Sequence, residues 1–235
     1  MPNSPKYQAV IFDLFGTLVD SFSQKKHEQV LAKMAQAVGA REEDFAGMWL
    51  GETVDMRFTG EIDTIASNVE YVCRALKIKS DFKQIAMAEK IYFDFVQKCL
   101  KPRADALRIL ANLQSTGYKL GLVSDCSSEV PLLWPETPFS FLFDAVVFSC
   151  LMGLRKPDPR MYLFICHQLK VKPQDCLYVG DGGSNELTGA AAVGMTPVML
   201  QMPDGHDEIY RLQIQKWHGP TISSLKNIEK IANGL

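Results

Sequence analysis

A short apolar run, Gln8-Ala9-Val10-Ile11-Phe12, stops abruptly on Asp13, and Leu14-Phe15-Gly16-Thr17 follows at once. Unbroken hydrophobicity without alternation is the pattern of a strand buried on both faces of a parallel sheet. A carboxylate at the end of such a strand costs several kcal/mol unless charge, metal or hydrogen bonds compensate it. In open α/β sheets the carboxyl ends of the strands are where ligands bind. An Asp that caps a helix would look the same locally, so this segment alone leaves both readings open.

The rest of the chain narrows the architecture. Between Ser21 and Lys101 no strand-like alternation occurs. Gln24 to Val38 carries Val30, Leu31, Met34, Ala35 and Val38 at helical spacing and stops at Gly39. Glu42 to Trp49, Asp63 to Leu76 and Phe82 to Leu100 repeat the helical pattern. From Pro102 the texture changes to short apolar runs separated by helical stretches: Lys119 to Val123, Ala145 to Phe148, Cys176 to Val179 and Pro197 to Leu200. Helices are predicted over Ala104 to Ser115, Met161 to Leu169, Glu186 to Val193 and, from a serine cap, Ser223 to Asn233. Strands alternating with helices imply right-handed βαβ units, hence an α/β protein with a parallel sheet and an all-α block inserted after the first strand. The chain is predicted to cross between the two parts near Leu18 to Ser21 and Leu100 to Arg103.

With a net charge of -2 and no basic cluster, the sequence carries no long-range field for nucleic acid or an anionic membrane. An anionic small molecule would have to be held by local groups. The six cysteines show neither CxxC spacing nor His partners at zinc-ligand intervals, and read as buried reduced thiols. Cys126 stands apart because it follows Ser124-Asp125 at a strand end. Asp13 interrupts the first apolar segment, and Asp144 and Ser149 break the longest, Phe139 to Leu154. Neither a signal core nor a membrane span is predicted, and the expected compartment is cytoplasmic.

Three predicted strands end in polar groups: Asp13, Ser124-Asp125 and Asp181. A fourth polar element lies between the third and fourth strands, where the prolines of Arg155-Lys156-Pro157-Asp158-Pro159 hold Lys156 on a rigid turn and are expected to forbid an early helix. Each feature alone reads as a capping Asp, a strand-end Ser or a solvated Lys. In this order the chain resembles the haloacid dehalogenase-like hydrolases over essentially its whole length. The first motif of that family is matched by Asp13-Leu14-Phe15-Gly16-Thr17, the second by Ser124 and the third by Lys156; the fourth is matched by Gly180-Asp181-Gly182-Gly183-Ser184-Asn185-Glu186.

The resemblance implies a Rossmann-like catalytic core over residues 1–18 and 102–235 and a helical cap domain over 19–101. It implies that Asp13 is a nucleophile forming a covalent aspartyl intermediate, that Ser124 hydrogen-bonds the transferring group, and that Lys156 offsets repulsion between Asp13 and an anionic substrate. Thr17 and Asp125 are expected at the substrate. Asp13, Asp181 and the main-chain carbonyl of Phe15 are expected to hold magnesium, a hard cation suited to oxygen ligands, with Asn185 and Glu186 orienting the loop and the metal's waters.

Phe15 departs from the commonest phosphatase pattern, in which an Asp at this position protonates the leaving alcohol and activates water. A phenyl ring cannot move a proton, and losing a general acid or base costs on the order of 10²–10⁴ in rate. The resemblance therefore leaves two chemistries. A 2-haloacid dehalogenase expels halide without needing a proton, and Arg41 or Arg57 could then bind carboxylate or halide. Such dehalogenases work without metal and carry a Ser-Ser-Asn-type fourth motif, whereas this chain keeps Asp181 and Glu186, whose charge near Asp13 calls for a cation. Magnesium-dependent phosphoryl hydrolysis is the preferred expectation. A binding protein on the same scaffold is the third reading, opposed by the retained nucleophile. A cap lysine, Lys25 or Lys26, is more simply a solvated helix face, and His27, His167, His206 and His218 show no triad or metal spacing. Trp49, Met56, Arg57, Phe58 and Glu61 are candidates for a cleft-facing surface but read first as cap core or exterior, with Arg57 and Glu61 as a helix-surface pair.

Overall fold

The computed structural model describes residues 6–201 and 216–233. Its centre is a six-stranded parallel sheet of order β3-β2-β1-β4-β5-β6. The strands are β1 (Ala9–Phe12), β2 (Lys119–Ser124), β3 (Ala145–Phe148), β4 (Cys176–Gly180), β5 (Thr196–Leu200) and β6 (Thr221–Ile222). The five strands expected from the sequence are present. The sixth, β6, is a two-residue edge strand too short to carry an apolar pattern.

Residues of β1 alternate between two cores. Val10 and Phe12 join Leu120, Leu122, Leu177 and Val179 on one face, while Ala9 and Ile11 join Val123, Tyr178, Met161 and Ile165 on the other. With both faces covered, the strand has no polar side to show, which explains its continuous apolar run.

Helices α1 (Gln24–Val38), α2 (Glu42–Gly47), α3 (Thr53–Phe58), α4 (Ile65–Ala75) and α5 (Phe82–Cys99) lie between β1 and β2. The helix expected over Glu42 to Trp49 is shorter: after α2 the chain widens into a π-helical turn, Met48–Glu52, before α3. That turn puts one extra residue into the helical path. The two crossings of the chain run side by side. Val19 bridges Pro102, the Arg103 N–H donates to Leu18 O at 3.0 Å, and Arg103 Nε lies 3.2 Å from Asp20 Oδ1.

After β1 the remaining helices are α6 (Ala106–Ser115), α7 (Glu129–Leu133), α8 (Ser149–Met152), α9 (Pro159–Leu169), α10 (Glu186–Ala192) and α11 (Lys226–Ala232). Several boundaries shift by a few residues from expectation, and two of the helix starts have a local cause. Helix α9 begins at Pro159 itself, because a proline at the first helical position lacks only an N–H that no helix partner would use, and Asp158 caps the turn by accepting from Arg160 N at 2.9 Å. Helix α11 begins three residues beyond Ser223; its leading N–H, of Lys226, reaches Ser224 Oγ at 3.3 Å instead. No helix among the described residues is long and apolar enough to cross a membrane.

Candidate active site

Register builds the site. Phe12 pairs with Leu122 on β2 and with Val179 on β4, so the residues just beyond these partners emerge together at the carboxyl edge of the three central strands. The Asp13 N–H donates to Val179 O at 2.9 Å, which fixes the first carboxylate against β4. Asp13, Asp181 and Glu186 each place a carboxylate oxygen within 4.8 Å of the others, and all three are buried. Gly16 lets the first turn approach this cluster, since at φ +85° it has no Cβ where Asp181 Oδ2 would stand 2.0 Å away.

Lys156 supplies the balancing charge. Its Nζ donates to Asp13 Oδ1 and to Glu186 Oε2, both at 2.6 Å, and the side chain is buried. Burial alone would lower the ammonium's pKa, but Asp13 and Glu186 outweigh it and hold it well above the ordinary lysine value. Glu186 also accepts from Tyr178 Oη at 2.9 Å and from the Gly182 N–H at 3.0 Å. Burial and then the neighbouring Asp13 push its pKa up to about 8, since one ammonium does not balance three carboxylates. Each acidic oxygen in this cluster is a hard donor of the kind that Mg²⁺ accepts.

The structure brings most of the expected residues to one cavity of about 530 Å³. Asp13, Phe15, Asp125, Lys156, Asp181 and Glu186 line it. Asp125 accepts from the Lys156 N–H at 3.0 Å and so holds the lysine's turn; burial pushes its carboxyl pKa upward. Thr17, Ser124 and Asn185 do not line the cavity. The Thr17 hydroxyl donates to Asp13 Oδ2 at 3.0 Å and orients that carboxylate from behind. Ser124 Oγ is buried without a hydrogen-bond partner in the protein. Asn185 adopts a left-handed conformation, φ 52°, at the start of α10, where it shapes the loop that carries Asp181.

The helical block sorts its candidates sharply. Arg57 is buried and lines the cavity, so it is not the exposed partner of Glu61 that its spacing suggested; Glu61 is exposed. Helix α3 ends at Phe58, so Glu61 lies beyond it, while Arg57 follows buried Thr53 by one turn on the same face. Phe58 also lines the cavity, whereas Trp49 packs beneath Arg57 with the guanidinium 4.5 Å from its ring. Arg41 lies on the exterior beside Glu43 and Asp44, and Lys25 and Lys26 are exposed. Cys126 lines the cavity too.

His27 carries no motif, standing alone after the exposed Lys25 and Lys26 and before Glu28, and the sequence gives it no role. It lines the cavity, stacks on Phe95 at 5.4 Å and meets Phe22 edge-on at 5.3 Å. Burial, and then the charge of Arg57, lower its pKa from 6.5 to about 4. The folded state therefore resists a proton that the unfolded chain accepts. Stability is full above pH 6.5 and declines as the pH falls from there toward 4. Relative to His27→Phe, the wild type is expected to lose roughly 3 kcal/mol across that interval in urea titrations; parallel curves for the two proteins would refute the assignment. His167 and His218 are exposed, and His206 lies outside the described residues.

Proteins similar to this chain include phosphatases and dehalogenases. The chain is 26% identical over 197 residues to the glyceraldehyde 3-phosphate phosphatase of Methanopyrus kandleri, covering 83% of this chain and 84% of that one. It is equally 26% identical, over 239 residues, to (S)-2-haloacid dehalogenase 4A of Burkholderia cepacia, covering 96% and 98%. The crystal structure of a phosphatase from Thermococcus onnurineus shares the fold, with a TM-score of 0.67 at 22% identity over 97% of this chain and 98% of that one. The family model for haloacid dehalogenase-like hydrolases matches residues 7–194, a span that holds every strand-end acid and the lysine between them, and the chain belongs to that family of hydrolases.

Proposed function

We propose that this hydrolase cleaves a small phosphorylated metabolite with Asp13 as nucleophile and a magnesium ion as cofactor. The observation that carries the reading is the charge of the site: three buried carboxylates converge within 4.8 Å of one another while Lys156 supplies one ammonium. Asp13, Asp181 and the main-chain carbonyl of Phe15 would hold the ion, with Glu186 and Asn185 supporting its water and loop. When bound, the cation contributes positive charge that offsets a phosphate dianion.

The side chains account for the remaining steps. An Asp13 oxygen attacks phosphorus as the leaving oxygen departs, and water then hydrolyses the aspartyl phosphate. Lys156, held by Asp125, spreads the charge that develops on the transferring oxygens. Thr17 keeps the Asp13 carboxylate turned toward the cavity. Ser124 lies behind the cavity lining, and its buried hydroxyl, without a partner in the protein, would donate to the transferring group only once a substrate reaches it. Residues 19–101 act as a cap over the core of 1–18 and 102–235, and their closure excludes water from the reacting centre. The Arg155–Asp55 ion pair, between the turn of Lys156 and α3, ties the two parts at the cavity's edge.

Phe15 tunes this chemistry. Its ring lines the cavity against Phe22, 5.0 Å away, where a proton-transferring acid would be of use. Acyl and aryl phosphates, whose leaving groups need no proton, are expected to turn over faster than alkyl phosphates. Phe15→Asp should raise alkyl phosphate turnover by about 10²-fold. Unchanged rates in that variant would show that another group already moves the proton.

The same residue favours the second reading, a metal-independent 2-haloacid dehalogenase, because halide leaves without protonation. A parallel assay of acetyl phosphate, p-nitrophenyl phosphate and 2-chloropropionate with Mg²⁺ or EDTA separates the two. Phosphate release abolished by EDTA and restored by Mg²⁺ is expected. Halide release indifferent to the chelator would overturn the phosphatase reading.

A further inference from the structure

A second charged group lies in the cavity apart from the carboxylate cluster. Arg57 on α3 and Glu129 on α7 are 3% and 2% exposed, and both line the cavity. Arg57 Nη1 donates to Trp49 O at 3.0 Å and to Thr53 Oγ1 at 2.6 Å, and its face rests on the Trp49 ring. Glu129 Oε1 accepts from Ser127 Oγ at 2.8 Å. These contacts fix the orientation of both side chains but leave one polar atom on each, Arg57 Nε and Glu129 Oε2, buried without a partner in the protein. The hydrogen bonds of Arg57 and Glu129 run to Trp49, Thr53 and Ser127, whereas those of the Lys156 ammonium run to Asp13 and Glu186.

Leaving a buried donor and a buried acceptor unsatisfied is costly, and a ligand offering the complementary pair would relieve that cost. Phe15, Phe22, Phe58 and Tyr92 give the same cavity an aromatic lining. We propose that Arg57 and Glu129 are specificity-determining residues that grip the leaving half of the substrate, a planar or apolar spacer whose tip carries an acidic group for Arg57 and an amino or hydroxyl group for Glu129. The substrate class is thus a phosphate monoester of a hydroxy- or amino-acid-tipped ring. In its hydrolytic arm this assignment rests on the phosphatase reading.

Phenyl phosphate and O-phospho-L-tyrosine test it, because they share a phenolic leaving group and differ in the tip. Wild-type kcat/KM is expected to favour phosphotyrosine by at least about tenfold. Glu129→Gln and Arg57→Gln should each cut that ratio to within about twofold of unity while leaving acetyl phosphate turnover within about threefold of wild type. Calorimetric binding of phenylphosphonate against 4-(phosphonomethyl)phenylalanine gives the same comparison without turnover, and melting curves report any variant that fails to fold. If acetyl phosphate is not hydrolysed, the phosphatase reading fails while the binding ratio still judges the grip. A wild-type ratio near unity in both assays, or a ratio untouched by both variants, would overturn the grip and leave Arg57 and Glu129 as a structural tie between α3 and α7.

Discussion

Asp13→Asn is expected to lower phosphate release by at least about 10⁴-fold, the scale on which enzymes lose turnover when their nucleophile is removed. The amide has the shape of the carboxylate and can still accept from Thr17, whose hydroxyl lies 3.0 Å from Asp13 Oδ2. It cannot form an acyl phosphate. Lys156 keeps its second partner, Glu186, at 2.6 Å, and repulsion toward Asp181 is relieved, so the opposing changes should leave the melting temperature within about 5 °C of wild type. Acid-quenched wild type given acetyl phosphate should carry a phosphoryl adduct on the peptide containing Asp13, and the variant should carry none. An adduct that persists in Asp13→Asn would place the nucleophile elsewhere and end the proposed mechanism.

Lys156→Met should have the largest effect on stability. The substitution keeps the apolar stem but removes the ammonium buried between Asp13 and Glu186, leaving the cluster of carboxylates without an internal cation. Breaking a buried ion pair from one side costs about 3–5 kcal/mol, which in a chain of this size lowers the melting temperature by roughly 10 °C. Mg²⁺ should recover more of that loss in the variant than it adds to the wild type, because it restores the missing positive charge. Turnover should fall by at least about 10²-fold even with Mg²⁺, since the charge on the transferring oxygens loses a fixed neighbour. A variant that melts with the wild type in metal-free buffer would show that Lys156 balances little of the site's charge.

Much of this was legible in the chain before folding. The apolar run of β1 announces a strand with two covered faces, and the strands and helices after Pro102 alternate as a parallel sheet requires. Asp13, Asp125, Lys156 and Asp181 stand out because polar groups that end buried strands or ride proline-held turns need a reason to be there. The helical block was harder to read. The i,i+4 spacing of Arg57 and Glu61 suggests a surface pair, but α3 ends at Phe58, and Arg57 lies one turn beyond buried Thr53 on the inward face. His27 and Glu129 carry no motif, and Ser223 resembles a cap but stands three residues before α11 begins.

Sequence alone determined the order of strands and helices, the acids that close the central strands and the lysine between the third and fourth of them, because these follow from local patterns of burial and from the conformational limits of glycine and proline. Tertiary structure decided which of the distant charges meet. The parallel register of β1 with β2 and β4 brings Asp13 and Asp181 to one edge, and the packing of α3 and α7 over the cavity brings Arg57 and Glu129 to its other charged group. Electrostatic energy depends on distance through space, and a linear chain does not hold that distance until it folds.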